Sequence, residues 1–245
     1  MTHGTPALQD QLPVATSSWS PGDRPTGLVI VDAVHGFCTV GAGPLAPASP
    51  NAQVARMVGE IDRLARRFVA AGRPIMALLD THEPGKAEPP YPPHCERGTG
   101  QENLVDELAW LESEILTTLL RKDCINGFIG AVEAAHPGHG VSHNRMADWV
   151  ALHRLHSVVV TGICTDICVL DLVVTLLSAR NHGLVPTLRD IVVLEPACAT
   201  YDMPLETARS LGLPDTAAHP QALTHHLGLY VMASRGAILA SAIEE

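Results

Sequence analysis

Apolar and polar positions fall in blocks along this chain: a short aliphatic run, then a polar loop, then a stretch whose apolar residues recur at helical spacing. That succession is the signature of βα units. Residues 28–31 form an all-aliphatic strand, and a Gly/Pro-rich loop leads from them to a helix-period segment over 53–71, closed by Gly72. Further strands are predicted over 74–79, 115–120, 157–161 and 191–194, with a sixth over 237–242. Helices are predicted over 145–155, 166–181, 205–211 and 220–234. Strands that are apolar throughout, rather than at alternate positions, are strands covered on both faces. The pattern therefore predicts an α/β fold, three layers in an α/β/α order around an open parallel sheet. A Pro-rich loop over 80–100 separates the second and third strands, far longer than the usual length of about five residues, and loops of that length are usually functional.

Composition narrows the classes. A length of 245 residues suits one α/β domain, and 46% hydrophobic against 4% aromatic residues means a core of Val, Leu, Ile and Ala. Residues 1–25, polar and containing Pro and Gly, read as a flexible N-terminal arm, and 26–245 as a single domain. The arm has neither a basic start nor an apolar h-region, so it is not a signal peptide. A net charge of -10 argues against nucleic acid or an anionic membrane as partner. No apolar run approaches the roughly 20 residues that span a bilayer. Six cysteines without a secretion signal point to reduced thiols and a cytoplasmic protein. A disulfide or redox pair between Cys164 and Cys168 is the minority alternative.

In open parallel sheets, ligands bind at the carboxyl ends of the strands. Here the first strand leads to Asp32 and the second to Asp80, with His82 two residues on; the third leads to Lys122, and the fourth passes through Gly162 to Cys168. Taken singly, a strand-end Asp is a turn residue, a strand-end Lys is solvated and a cysteine is a small hydrophobe. Together they are a thiol, a base and a cation at one edge. A helix start at Cys168 would present N–H groups and a partial positive charge that lower the thiol pKa, with Thr165 as N-cap. Asp32 would accept the thiol proton and pass it to a leaving amine, Lys122 would hold both charges, and the backbone N–H groups of Cys164 and Cys168 would form the oxyanion hole.

The long loop supplies a second kind of chemistry. Asp80, His82 and His94 are borderline-hard ligands suited to Zn²⁺, Fe²⁺ or Mn²⁺, and three protein ligands leave positions open, as catalytic sites do. Glu88 is a candidate further ligand, directly or through water. Cys95 reads as structural, and His225 and His226 as packed or solvated. Phe37 and Tyr91 sit in the loops around this edge, where they can stack on a flat ring.

These residues lie in the segments GLVIVDAVHGFCTVGAGPLAP, DTHEP, EPPYPPHCERGT, LLRKDCINGF, VVVTGICTDICV, SARNHG, CATYD and AHPQALTHHLGLY. Over 26–240 the chain resembles the isochorismatase-like cysteine hydrolase superfamily and, within it, the nicotinamidases of the plant-type branch. The resemblance implies a six-stranded parallel sheet, an Asp32, Lys122, Cys168 triad, and a cis peptide before Cys164 that aims two amides at the oxyanion. It also implies one divalent transition metal, zinc ahead of iron or manganese, facing the pyridine nitrogen of a ring held between aromatic side chains. The implied reaction is hydrolysis of nicotinamide to nicotinate and ammonia through a cysteine thioester, a step of NAD salvage. Two departures stand out: Lys86 and Glu88 lie where many bacterial relatives have a third loop histidine, and Tyr91 lies where many have Trp. The alternatives are a sister amidase acting on another small carboxamide, and a non-catalytic metal-binding or redox-binding relative. The resemblance leaves a homo-oligomer open.

Overall fold

A computed structural model describes residues 8–86, 88–133 and 142–244. Apart from a short antiparallel pair, Val132–Glu133 with His143–Asn144, the strands form one sheet: β1 (Ser17–Trp19), β2 (Thr26–Val31), β3 (Ile75–Asp80), β4 (Thr117–Lys122), β5 (Ser157–Ile163), β6 (Asp190–Ala199) and β7 (Ile238–Ile243). The principal helices are α1 (Ala52–Ala70), α2 (Arg145–Leu152), α3 (Cys168–His182), α4 (Leu205–Ser210) and α5 (Gln221–Ser234). All seven strands run parallel in the order β1-β7-β6-β5-β2-β3-β4. The α/β/α layering is as expected, but the sheet has seven strands rather than six.

The extra strand comes from the segment read as a loose arm. Ser17–Trp19 pairs with β7, and Arg24 caps the Trp19 ring with its guanidinium carbon 5.1 Å from the ring centroid. Three residues, two of them serine, carry no apolar period, so the hydrophobic pattern is blind to this strand. It covers backbone groups that β7 would otherwise leave exposed.

Other boundaries moved for local reasons. β4 begins at Thr117 rather than 115, because Ile115 is 94% exposed and Thr117 N closes a turn onto Glu114 O. β6 continues past 194 through the polar Glu195 to Ala199, and its register against β5 shifts between Val160 and Gly162.

Each face of the sheet carries its own core. On one, Val54, Met57, Val58, Ile61, Leu64, Ala65 and Phe68 of α1, spaced at helical intervals, pack on Leu28, Ile30, Ile75 and Ala77. On the other, Trp149 of α2, Leu172 and Leu176 of α3, and Leu229 and Met232 of α5 cover Val29, Val31, Met76, Leu78, Val158 and Val160. Asn51 starts α1 by accepting from the amides of Gln53 and Val54 at 3.0 and 3.1 Å, and Asn144 starts α2 in the same way. Among the described residues no helix is long and apolar enough to cross a membrane.

The centre of the sheet admits one residue type at its tightest point. Gly162 has φ +124°, and a Cβ there would lie 2.0 Å from the carbonyl oxygen of Val31 on β2. Gly162→Ala is expected to destabilise the protein by about 3 kcal/mol or more in urea unfolding; an unchanged midpoint would contradict this close approach.

Candidate active site

Four adjacent strand ends, in the order β5, β2, β3 and β4, build the site. Asp32 follows β2 with φ +53°, a left-handed conformation that Asp tolerates better than most side chains, and its amide donates to Leu78 O across the sheet at 2.9 Å. Asp80 and Lys122 end β3 and β4 in register with each other. β5 ends at Ile163, a cis peptide joins it to Cys164, and Cys168 opens α3 after a short turn.

Lys122 is buried at the middle. Its Nζ lies 2.8 Å from Asp32 Oδ2, 3.0 Å from Asp80 Oδ1 and 3.0 Å from the carbonyl of Cys124. An ammonium has three protons, and these are three acceptors. The approach to Asp32 is an ion pair whose alignment falls short of a hydrogen bond, so both Asp32 oxygens remain buried without a well-aligned donor. Burial pushes the Asp32 carboxyl up to about 6 against the pull of Lys122, with Asp80 adding to the rise. Burial would lower the Lys122 ammonium, but Asp32, Cys168 and Asp80 hold it well above its usual value. Burial likewise lifts the Cys168 thiol well above its ordinary range, and Lys122 does not offset the combined effect of burial and Asp32.

Two expectations about this turn are therefore corrected, and the reduced state expected of its cysteines is met. Cys168 does open a helix, yet desolvation outweighs the helix terminus, so the resting group is a thiol. Thr165 is not the N-cap: Ile167 occupies that position without a side-chain cap, and Thr165 Oγ1 is 2.7 Å from His225 Nδ1 instead. Cys164 and Cys168 are free thiols, which removes the disulfide between them.

The loop after β3 folds back so that His82 N donates to Cys95 O at 3.0 Å, bringing the second histidine beside the first. Asp80 Oδ2 lies 3.1 Å from Nε2 of both His82 and His94. One ligand atom from each of Asp80, His82 and His94 falls within 4.8 Å of the others, and all three residues are buried. His94 Nδ1 is 2.8 Å from Pro92 O, which fixes the N–H on that side and turns the Nε2 lone pair inward. Burial alone would raise the Asp80 carboxyl, but Lys122 and the two histidines hold it well below the usual range. A carboxylate and two imidazoles so arranged fit a divalent transition metal. Glu88 stands at the edge of this group: its Oε2 is 3.7 Å from Nε2 of each histidine, while its Oε1 accepts from Ile125 N at 2.9 Å.

One cavity touches both sets. Its polar wall includes Asp80, Glu88, His94, Cys164 and Cys168, and its apolar wall includes Phe37, Tyr91, Tyr201, Ile125, Ile163 and Ile167. Asp32, Lys122 and His82 lie just behind the polar wall, buried. Phe37 and Tyr91 flank the His94 ring at centroid distances of 5.6 and 6.2 Å. Tyr201 completes the aromatic lining and was not foreseen, because the fifth strand was expected to stop at 194, well short of it. His225, expected to pack or meet solvent, is buried against the turn that carries the thiol.

Comparisons with known proteins agree with this layout. A family model described as the Isochorismatase domain matches residues 26–241. Nicotinamidase 1 of Arabidopsis thaliana is 49% identical over 221 residues, which is 90% of this chain and 87% of that protein. A solved pyrazinamidase/nicotinamidase from Streptococcus mutans has a TM-score of 0.61 at 22% identity, over 87% of this chain and 99% of its own. A pyrazinamidase from Pyrococcus horikoshii, solved in complex with zinc, has a TM-score of 0.60 at 19% identity, over 88% of this chain and 98% of its own. At such identities the two solved structures speak to the fold alone. The parallel sheet with its strand-end carboxylates, ammonium and thiol, and a family model covering most of the sequence, agree: this chain belongs to the isochorismatase family.

Proposed function

We propose that this protein is a metal-dependent amidohydrolase that converts nicotinamide to nicotinate and ammonia through a thioester on Cys168. The observation that carries this reading is the meeting of a thiol, a buried carboxylate–ammonium pair and a three-ligand metal group on one aromatic-lined cavity. The aromatic walls suit a flat ring, Phe37, Tyr91 and Tyr201 contributing stacking surface.

In this reading Asp32 starts as the carboxylate and Cys168 as the thiol. Sγ attacks the carboxamide carbon while the thiol proton passes to Asp32, and the carbonyl electrons move onto oxygen, facing the amides of Cys164 and Cys168. Asp32 returns the proton to nitrogen, the C–N bond breaks and ammonia leaves. Water then enters, Asp32 takes one of its protons, the oxygen adds to the thioester carbon, and the C–S bond breaks as sulfur recovers a proton. Lys122 keeps the Asp32 charge affordable in a dry setting throughout. Asp80, His82 and His94 would hold the metal, zinc first, with Glu88 as a further ligand directly or through water. When bound, the metal supplies a Lewis-acid site for the pyridine nitrogen. Six free cysteines suit a reducing compartment, and we place the activity in the cytoplasm.

Three measurements test the reading. Cys168→Ala is expected to release no ammonia from nicotinamide while keeping its metal content; turnover by that variant would remove the nucleophile. Protonating Asp32 removes the base, so kcat/KM should fall about tenfold per pH unit below about 6 and level off above it. A profile still flat down to pH 5 would exclude Asp32 from the step. His82→Ala should lose bound metal and weaken nicotinamide binding together, read by elemental analysis and KM, and an unaltered pair of values would detach the ring from the metal group.

A further inference from the structure

The turn that bears the amides of Cys164 and Cys168 is gripped from one side. Its backbone is tied to the end of β6 by Thr165 N donating to Ala199 O at 2.8 Å. Its two central side chains reach the C-terminal segment. Thr165 Oγ1 meets His225 Nδ1 at 2.7 Å, both residues buried. Asp166 Oδ2 meets His219 Nε2 at 2.7 Å, and Asp166 Oδ1 accepts from Thr200 Oγ1 at 2.6 Å.

Each histidine is itself oriented from behind. His219 Nδ1 lies 2.9 Å from Tyr201 O, so both ring nitrogens face acceptors, which holds the ring orientation fixed and favours its protonated form. It stacks on Tyr201 with centroids 3.8 Å apart and planes 12° from parallel. His225 Nε2 faces Glu195 Oε1 at 3.6 Å, with Arg56 paired to the same oxygen at 3.4 Å. The carboxylate on that side favours the tautomer with its N–H at Nε2, so the Thr165 hydroxyl donates to Nδ1. A third observation is steric. A Cβ at Gly228, one turn beyond His225 on α5, would lie 2.8 Å from Asp166 Cα and 2.9 Å from Thr165 O. Only glycine lets the helix come this close to the turn.

We propose that His219 and His225 are positioning residues that hold the Thr165 and Asp166 turn, and through it the amides of Cys164 and Cys168, in place for the developing oxyanion. This rests on the reading of Cys168 as nucleophile. A strand-to-helix turn can be anchored by apolar packing alone. Two buried polar contacts from a separate element fix its orientation as well as its location, and oxyanion donors depend on orientation within a fraction of an ångström. Neither histidine lines the cavity; His225 reaches it through the turn, whereas His219 also backs Tyr201 of the aromatic wall, which makes the His225 and Thr165 variants the cleaner test.

Paired variants separate positioning from general packing. In His225→Asn the amide oxygen takes the place of Nδ1 and accepts from Thr165; in His225→Leu nothing does. His225→Leu is expected to lower kcat on nicotinamide about tenfold or more with KM within about threefold, and His225→Asn to recover most of the loss. His219→Gln, which keeps a partner for Asp166, should likewise outperform His219→Leu. Thr165→Val should match His225→Leu, the double variant being no worse than either, and it serves alone if His225→Leu does not fold. A substrate-free readout is alkylation of Cys168 by iodoacetamide, followed by mass spectrometry of its peptide, which should slow in the Leu and Val variants and not in Asn. Wild-type kcat and alkylation rate in His225→Leu or Thr165→Val would overturn the clamp. If wild-type protein releases no ammonia from nicotinamide but these variants still slow alkylation, the substrate reading fails and the clamp stands.

Discussion

A single buried ammonium holds the two halves of this site together. Lys122 lies between Asp32 on β2 and Asp80 on β3, within 2.8 and 3.0 Å of their oxygens, with almost no contact with water. An ion of this size stripped of water costs several kcal/mol unless close partners replace the lost hydration. Two carboxylates and a carbonyl do so here. The pairing depends on register: Asp80 and Lys122 are direct partners in the β3–β4 ladder, and a slip by one residue would turn the Lys side chain to the opposite face. Two carboxylates against one ammonium leave the cluster net negative, and the group of Asp80, His82 and His94 beside it could hold a cation.

The same burial decides how the thiol is used. A helix start and a nearby ammonium are conditions that elsewhere produce a standing thiolate. Here desolvation and the facing carboxylate outweigh them, and the Cys168 thiol is driven up while Asp32 settles at about 6. At neutral pH the proton therefore resides on sulfur with a carboxylate facing it. Attack and deprotonation are coupled in such an arrangement, since separating charge beforehand would place a second anion in the dry pocket. Asp32 suits this work because burial raises its carboxyl further than Lys122 and Cys168 lower it.

How much of this was legible in the sequence follows from the range of each signal. Strands β2, β3 and β5 are buried along their whole length, and a run of aliphatics reports that directly. The parallel-sheet rule then carried Asp32, Asp80, Lys122 and Cys168 to one edge without coordinates. What escaped was non-local or non-periodic. Ser17–Trp19 has no apolar rhythm, and only its pairing with a strand more than two hundred residues away makes it a strand. Thr165 has the right residue type and spacing for an N-cap, but its hydroxyl is drawn to His225, sixty residues on. Tyr201 was hidden by the polar Glu195 in the middle of β6. The thiol pKa was misjudged because the helix terminus is visible in sequence and depth of burial is not.

The buried charge cluster and the aromatic lining of the cavity have different foundations. Asp32 and Asp80 stand at the ends of interior strands held by neighbours on both sides, and Lys122 at the end of the edge strand β4, held against β3. Phe37 stands on a short helical turn (His35–Cys38), not in the open loop the sequence suggested, Glu88 and Tyr91 stand on a loop, and Tyr201 follows the last residue of β6. Loops accept changes of sequence and length at little cost to the core, whereas a strand-end charge network does not. A fold built this way can hold its strand-end charges fixed while the residues around the cavity mouth change.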